Sequence, residues 1–287
     1  MGSDPHTMAG DGDGVTWHDV AWHGDLLARI YVPPELARTG AAVVDVHGGA
    51  WNSQDRTLGV AYDEALAATG CCVVAIDFRD GRVARHPAGS DDVAAAVGWV
   101  RDHGVRLGID PARVGLIGSS SGGHLALYAA LTAVDVPFVA AFWPPVDPLA
   151  RSRYAEAKVG EPVPDGQRFD AANLVRSTAA YFGSDDAMAE ASIAAVVRRG
   201  GAVHLPAVWL VRAGADLNVP PVLLDELADA YRAAGGDIEL TDYPGEVHGF
   251  GHSRSAEGAR RFQRDLIHRV NAALGGQPGA KGVRPGP

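Results

Sequence analysis

The sequence is poor in cysteine and carries no excess of positive charge. Its 287 residues include only two cysteines, Cys71 and Cys72, and adjacent cysteines rarely bridge each other. The disulfide framework typical of small exported domains is therefore absent. The formal net charge of −10 argues against a surface for nucleic acid or for an anionic membrane, because both attract basic proteins.

Other signals are also missing. The sequence has no run of 18 apolar residues that would predict a membrane-spanning helix, and residues 1–13 lack the pattern of a signal peptide. A cytoplasmic protein is therefore expected. H-E-x-x-H and C-x-x-C motifs are absent, and no G-x-G-x-x-G follows a strand. Neither a metal nor a cofactor is expected.

Strand-length apolar runs alternate with helix-like segments along one large domain. This alternation predicts an α/β fold, with a mainly parallel sheet flanked by helices on both faces. Strands are expected at residues 26–32, 42–46, 71–76, 113–117, 138–142, 207–212 and 237–241. Helices are expected near residues 58–68, 91–107, 123–133, 221–234 and 256–274.

The alternation stops between residues 144 and 204, a segment longer than one crossover helix requires. We interpret it as an inserted cap or lid, because long insertions in compact domains are usually functional; a decorative insertion is the alternative. Residues 1–14 are expected to be disordered or tag-derived, and residues 15–274 to form the domain. Residues 275–287 are rich in glycine and proline, which predicts a disordered tail.

A candidate nucleophile lies in residues 114–126, which read VGLIGSSSGGHLA. Of the three consecutive serines, only Ser120 has glycine two residues before and two residues after it. Small neighbours allow a sharp turn from strand to helix, which raises the Ser120 hydroxyl above the sheet. The main-chain N–H of Ser121, at the start of the helix, then points to where negative charge develops. The alternative is a Ser/Gly-rich loop without function.

A second glycine motif follows an earlier strand, in residues 43–51, VVDVHGGAW. Its glycines let the main chain turn over a substrate carbonyl and present N–H donors, which stabilise a tetrahedral intermediate. The predicted oxyanion hole consists of the N–H groups of Gly49 and Ala50, with Ser121 as the third donor. His47 is interpreted as a scaffold residue of this loop.

With an elbow of this type, the acid and then the histidine follow the serine along the chain. Asp216 follows the strand at residues 207–212, and His248 follows the strand at residues 237–241. His248 is predicted to take the Ser120 proton, and Asp216 to hold the imidazole in the correct tautomer. The competing residues that we interpret as surface residues are His204, His252, Asp225, Asp237 and Asp242.

These motifs resemble a known group of enzymes. The HGGAW loop, the GSSSGGHLA elbow, residues 77–100 and the GIDPARVGLIG segment are similar to those of hormone-sensitive-lipase-type carboxylesterases. FWPPVDP, YFGSDD and ADLNVP are similar to a sister branch that contains bacterial feruloyl-esterase-like enzymes and kynurenine formamidases. The resemblance extends from about Asp19 to Leu274. It implies an α/β-hydrolase without a cofactor, with the triad and oxyanion loop named above.

The sequence departs from the hormone-sensitive-lipase pattern at three positions. Ala50 stands where relatives usually carry a third glycine, Ser119 replaces the usual His or Asp, and Ser121 replaces the usual Ala. These changes leave the reaction type intact, and they bear on the branch and therefore on the substrate.

The expected function is a serine carboxylesterase that hydrolyses small or aromatic esters through an acyl-enzyme. An arylformamidase or amide hydrolase with the same triad, or a non-catalytic binding protein, is the alternative. The expected partner is a small-molecule ester, and a homodimer is left open. An apolar pocket with few charges is expected. The candidate wall residues are Trp51, Phe142, Trp143, Tyr154 and Phe182. Any of them could equally belong to the core.

Overall fold

The computed structural model describes residues 14–275 and the two-residue strand Met8–Ala9. The strands are β1 (Met8–Ala9), β2 (Thr16–His23), β3 (Leu26–Val32), β4 (Ala42–Val46), β5 (Cys72–Ile76), β6 (Val114–Ser119), β7 (Phe138–Phe142), β8 (Ala207–Ala213) and β9 (Ile238–Tyr243). The α-helices are α1 (Val60–Ala68), α2 (Ala88–His103), α3 (Ser121–Thr132), α4 (Pro148–Ala157), α5 (Ala171–Phe182), α6 (Asp185–Glu190), α7 (Ile193–Arg198), α8 (Pro221–Ala233) and α9 (Glu257–Leu274).

All of these strands form one sheet in the order β1-β2-β3-β5-β4-β6-β7-β8-β9. The six strands β5, β4, β6, β7, β8 and β9 pair in parallel, in that order across the sheet. Strands β1, β2 and β3 pair antiparallel at one side of the sheet, where β3 also pairs antiparallel with β5. Every residue of β4, β5, β6 and β7 is buried. Parallel strands covered on both faces read as continuous apolar runs, and the predicted mainly parallel sheet is confirmed.

Two hydrophobic clusters fill the space on the two faces of the sheet. One contains the buried side chains of α2, α3, α7 and α8, and the other contains those of α1 and α9. The seven predicted strands are all present, with bounds that differ by at most two residues. Strand β2 was not predicted, because its sequence TWHDVAWH alternates little and only one of its eight residues is fully buried.

Helices α4 to α7 lie in the segment between β7 and β8 that was predicted as a cap or lid. Its loop is tied to the loop after β8, since Gln167 donates a hydrogen bond to the Ala215 carbonyl and Asn218 donates one to the Arg168 carbonyl. Among the described residues no helix is long and apolar enough to cross a bilayer. Of the termini predicted to be disordered, residues 1–7, 10–13 and 276–287 lie outside the described residues.

Candidate active site

Ser120 lies at the turn between β6 and α3 with φ 51° and ψ −124°. This conformation is strained for a residue with a side chain, and the Ser120 N–H fixes it by donating to the Phe142 carbonyl at 2.8 Å. A Cβ at Gly122 would lie 1.9 Å from the Val46 carbonyl oxygen, and one at Gly118 would lie 2.7 Å from the Gly122 carbonyl. The two glycines flanking the serine are therefore sterically required.

The structure brings Ser120, His248 and Asp216 together. His248 Nε2 lies 2.9 Å from Ser120 Oγ, and His248 Nδ1 lies 2.7 Å from Asp216 Oδ2. The loops after β6, β8 and β9 supply the three side chains, because parallel strands end at the same edge of the sheet.

The Asp216 carboxylate is held in place by the main chain of its own loop. Its Oδ1 accepts hydrogen bonds from the N–H groups of Asn218 at 2.6 Å and Val219 at 3.2 Å. The side chain is 3% exposed, so these bonds are shielded from water. The ADLNVP segment therefore folds back on its aspartate and leaves Oδ2 for the imidazole.

The predicted oxyanion loop follows β4 and passes directly over the elbow. A Cβ at Gly48 would lie 3.1 Å from that of Ser120, and Gly49 and Ala50 have φ values of 114° and 53°. Within the described residues, the N–H groups of Gly49 and Ala50 donate to no protein acceptor. Both residues line the cleft that contains Ser120 and His248, so these two donors are free to bind an oxyanion.

His47 has a structural position in this loop, in agreement with its interpretation as a scaffold residue. The side chain is buried, stacks on Phe78 and places Nδ1 2.7 Å from the Gly48 carbonyl oxygen. Since a carbonyl only accepts, Nδ1 donates this bond. Burial lowers the pKa of His47 below its ordinary value, so the ring is neutral at physiological pH.

The prediction that His252 is a surface residue is wrong. Its Nε2 lies 3.3 Å from Ser119 Oγ, and burial, with His248 nearby, lowers the pKa of His252 to about 4. Two features of the sequence could have indicated this contact: the unusual polar residue at Ser119, and a histidine four residues after His248. His204 is half-buried beside the Val136 carbonyl, whereas the aspartates interpreted as surface residues, Asp225, Asp237 and Asp242, are exposed.

The cleft above Ser120 has a volume of about 700 Å³. Trp51, Trp143 and Phe182 do not line it and are buried beneath the loops, where Trp51 packs edge-on against Phe182. The prediction that they form the pocket wall is therefore wrong, as it is for Phe142 and Tyr154. The expectation of few charges is also wrong, since the lining includes the charged side chains of Arg151, Arg168 and Glu246.

Fold and site together define a class of protein. The mainly parallel sheet, the strained serine between strand and helix, and a histidine and an aspartate on later post-strand loops are the arrangement of an α/β-hydrolase. The chain belongs to the α/β-hydrolase fold family, whose model matches residues 43–252. Among the described residues, no group of three or more His, Cys, Asp or Glu side chains could hold a metal ion.

Curated relatives of this chain carry esterase names. It is 37% identical over 114 residues to carboxylesterase NlhH of Mycobacterium tuberculosis, which is 39% of this chain and 35% of the relative. It is 36% identical over 105 residues to an ethyl acetate hydrolase of Pseudomonas putida, which is 35% of this chain and 33% of the relative. Each match thus covers about a third of the relative's length.

Solved structures share the fold over nearly the whole chain. Esterase B from Lactobacillus Rhamnosis superposes with a TM-score of 0.73 at 21% identity, covering 91% of this chain and 86% of that chain. Thermogutta terrifontis esterase 2, with butyrate bound, superposes with a TM-score of 0.70 at 23% identity, covering 93% of this chain and 96% of that chain.

Proposed function

We propose that this protein is a serine carboxylesterase in which Ser120, His248 and Asp216 form the catalytic triad. The observation that carries the proposal is the unbroken series of hydrogen bonds from Asp216 through His248 to Ser120. The series ends beside the unoccupied N–H donors of the oxyanion loop, in a cleft large enough for a small ester.

The reaction would proceed in two steps. In the first step His248 Nε2 takes the Ser120 proton, Oγ attacks the ester carbonyl, and the N–H groups of Gly49, Ala50 and Ser121 bind the oxyanion. Collapse of the intermediate breaks the bond to the alcohol oxygen, which receives the proton from His248. Water then attacks the acyl-enzyme with His248 as base, which releases the acid and restores Ser120.

Ester rather than amide substrates are supported by the curated relatives, which are named as a carboxylesterase, an arylesterase and an ethyl acetate hydrolase. None of those quoted is named as a formamidase or an amide hydrolase. The arylformamidase alternative therefore has no comparable support. A direct comparison of turnover of p-nitrophenyl acetate and of N-formylkynurenine would separate the two activities.

A cap role for residues 144–204 is part of the proposal. Arg151 of α4, the loop residue Arg168, and Asn173 and Leu174 of α5 line the cleft, so this segment would contribute to substrate selection. A cytoplasmic location stays a prediction, and a homodimer stays open.

The experiment that tests the function combines labelling and kinetics. A fluorophosphonate should label the wild-type protein at Ser120, and Ser120→Ala should lose both the label and roughly 10⁶-fold in kcat on p-nitrophenyl acetate. The matched control is Ser90→Ala in α2, which removes another buried serine hydroxyl that has no hydrogen-bond partner among the described residues. Labelling that survives Ser120→Ala, or a wild type that turns over no p-nitrophenyl ester, would contradict the proposal.

A further inference from the structure

Arg151 of α4 is a buried cation in the wall of the candidate active site. The residue is 2% exposed and lines the same cleft as Ser120 and His248. Its Nη1 donates to Thr178 Oγ1 at 2.8 Å, and its Nε donates to the Asn218 carbonyl at 3.3 Å. These two bonds fix the plane of the guanidinium. Nη2 has no hydrogen-bond partner among the described residues.

No carboxylate of the described residues forms a salt bridge with Arg151. The nearby Asp216 attracts it electrostatically, but the oxygens of Asp216 are already bonded to His248, Asn218 and Val219. Burial lowers the pKa of Arg151 to about 10, with Asp216 opposing the shift, so the side chain is charged at neutral pH. The Trp51 ring, whose centroid lies 5.6 Å from the guanidinium carbon, offsets part of the cost of burying this charge, and a bound anion would offset more of it.

The surroundings of Arg151 are suited to an anion. Arg168, exposed in the loop between α4 and α5, adds a second cation to the lining, and the neutral amides of the wall are those of Gln54, Asn173 and Asn218. The lining also includes one carboxylate, that of Glu246. A Cβ at Gly258 would lie 1.8 Å from Glu246 Oε1, so this carboxylate lies against the first turn of α9.

We propose that Arg151 is a specificity-determining residue that binds a carboxylate carried by the ester substrate. Its free Nη2 would donate a charge-assisted hydrogen bond to that group while the ester carbonyl lies at Ser120. The preferred substrates would then be hemi-esters of small dicarboxylic acids or acyl esters of small hydroxy acids. This inference rests on the proposed esterase function and names the substrate class of the same site.

The test compares esters that differ only in charge. Ethyl hemisuccinate and its neutral amide, ethyl succinamate, place the charge in the acyl half. Acetoxyacetate and acetoxyacetamide place it in the alcohol half. For at least one pair, kcat/KM of the wild type should favour the anionic ester by about tenfold to a hundredfold, the range of a charged hydrogen bond. The pair that shows the preference identifies the half that carries the carboxylate.

Substitutions at two positions of one helix separate the effect of Arg151 from general charge effects. Arg151→Met should abolish the preference for the anionic ester, mainly by raising its KM, and Arg151→Lys should retain part of it. Arg153→Met is the matched control, because it removes an equal charge from α4 at an exposed position. The Arg153 guanidinium lies outside the cleft, with Nη2 3.8 Å from Asp185 Oδ2. Its ratio of anionic to neutral kcat/KM should equal that of the wild type.

A measurement on the wild type alone tests the inference even if the Arg151 variants do not fold. Succinate should competitively inhibit hydrolysis of a neutral ester at least tenfold more strongly than succinamide does. Turnover of neutral esters without a preference for either anionic ester, and without inhibition by succinate, would overturn this inference and leave the esterase function intact. A preference that persists in Arg151→Met would also overturn it. Failure of every ester would instead contradict the proposed function.

Discussion

Asp216 Oδ2 lies 2.7 Å from His248 Nδ1, while Oδ1 of the same carboxylate accepts two main-chain hydrogen bonds. A carboxylate only accepts, so Nδ1 of the imidazole carries the proton. Nε2 is then left unprotonated and faces Ser120 Oγ at 2.9 Å. The loop that positions Asp216 thereby sets the tautomer in which His248 can act as a base.

Asp216→Asn tests this relationship. An amide group facing Nδ1 would favour the other tautomer, which directs an N–H at Ser120. We expect kcat on p-nitrophenyl acetate to fall by roughly 10⁴-fold. The amide oxygen can still accept from Asn218 and Val219, so the thermal midpoint should change little. Asp216→Ala should also lose about 1–3 kcal/mol of stability, because it leaves those N–H groups unpaired. Wild-type kcat in Asp216→Asn would contradict the assigned role.

Gly122→Ala tests the steric requirement of the elbow. The new Cβ would lie 1.9 Å from the Val46 carbonyl oxygen, which is main chain and cannot rotate away. The free energy of unfolding, measured by urea denaturation, should fall by about 3 kcal/mol or more. Gly98→Ala in α2 is the control, because among the described residues no atom beyond its chain neighbours and its own helix backbone would lie within 4 Å of the new Cβ. It should raise stability by up to about 1 kcal/mol. Equal effects of the two substitutions would refute the steric explanation.

Gly49→Ala tests the oxyanion loop. Gly49 has φ 114°, and a Cβ there would lie 2.1 Å from the Ser53 carbonyl oxygen, so the loop would have to shift. Misplacing one oxyanion donor should lower kcat by about 10²- to 10³-fold with a small change in KM. Gly24→Ala, also at positive φ but with open space around it, controls for backbone strain and should keep wild-type kcat. An unchanged kcat in Gly49→Ala would remove this loop from the mechanism.

Asp45→Asn tests the protonation state of the buried Asp45 carboxyl group in β4. Burial raises the pKa of Asp45 from 3.8 to about 7, with a hydrogen bond from Tyr62 opposing the shift. The folded state therefore holds a proton that the unfolded state releases above pH 3.8. The stability that this proton contributes to the folded state is fully present below pH 3.8 and is lost as pH rises to about 7.

The asparagine cannot ionise, so Asp45→Asn should gain stability over the wild type as pH rises from about 4 to 7, by at most on the order of 4 kcal/mol. Urea midpoints of both proteins at intervals across this range would measure the difference. Asp25→Asn, at an exposed turn, is the matched control for the loss of a carboxyl group. A flat difference for Asp45→Asn would show that the buried carboxyl is ionised throughout.

Much of the fold follows from local patterns. Continuous apolar runs at β4, β5, β6 and β7 predicted strands buried on both faces, and helix-like segments between them predicted the parallel connections. The antiparallel strand β2 escaped prediction, because its formation depends on pairing with β3 rather than on its own hydrophobic alternation.

The pocket walls were predicted wrongly for a related reason. Trp51 and Trp143 flank site loops in sequence, yet both are buried beneath the cleft, since a large aromatic side chain gains most when it is removed from water. Arg151 has no local signal at all. Its place in the wall depends on how α4 packs against α5 and on the loop that carries Asn218.

The sequence by itself determined the sheet and the nucleophile, because strands and the glycine-flanked elbow depend on neighbours within a few residues along the chain. It also indicated Asp216 and His248, through the loops on which they stand. Only the tertiary structure decided what surrounds them: the contact of His252 with Ser119, the burial of the tryptophans and the buried guanidinium of Arg151 in the wall of the cleft. Those features arise from contacts between residues far apart in sequence, and local sequence patterns do not predict such contacts.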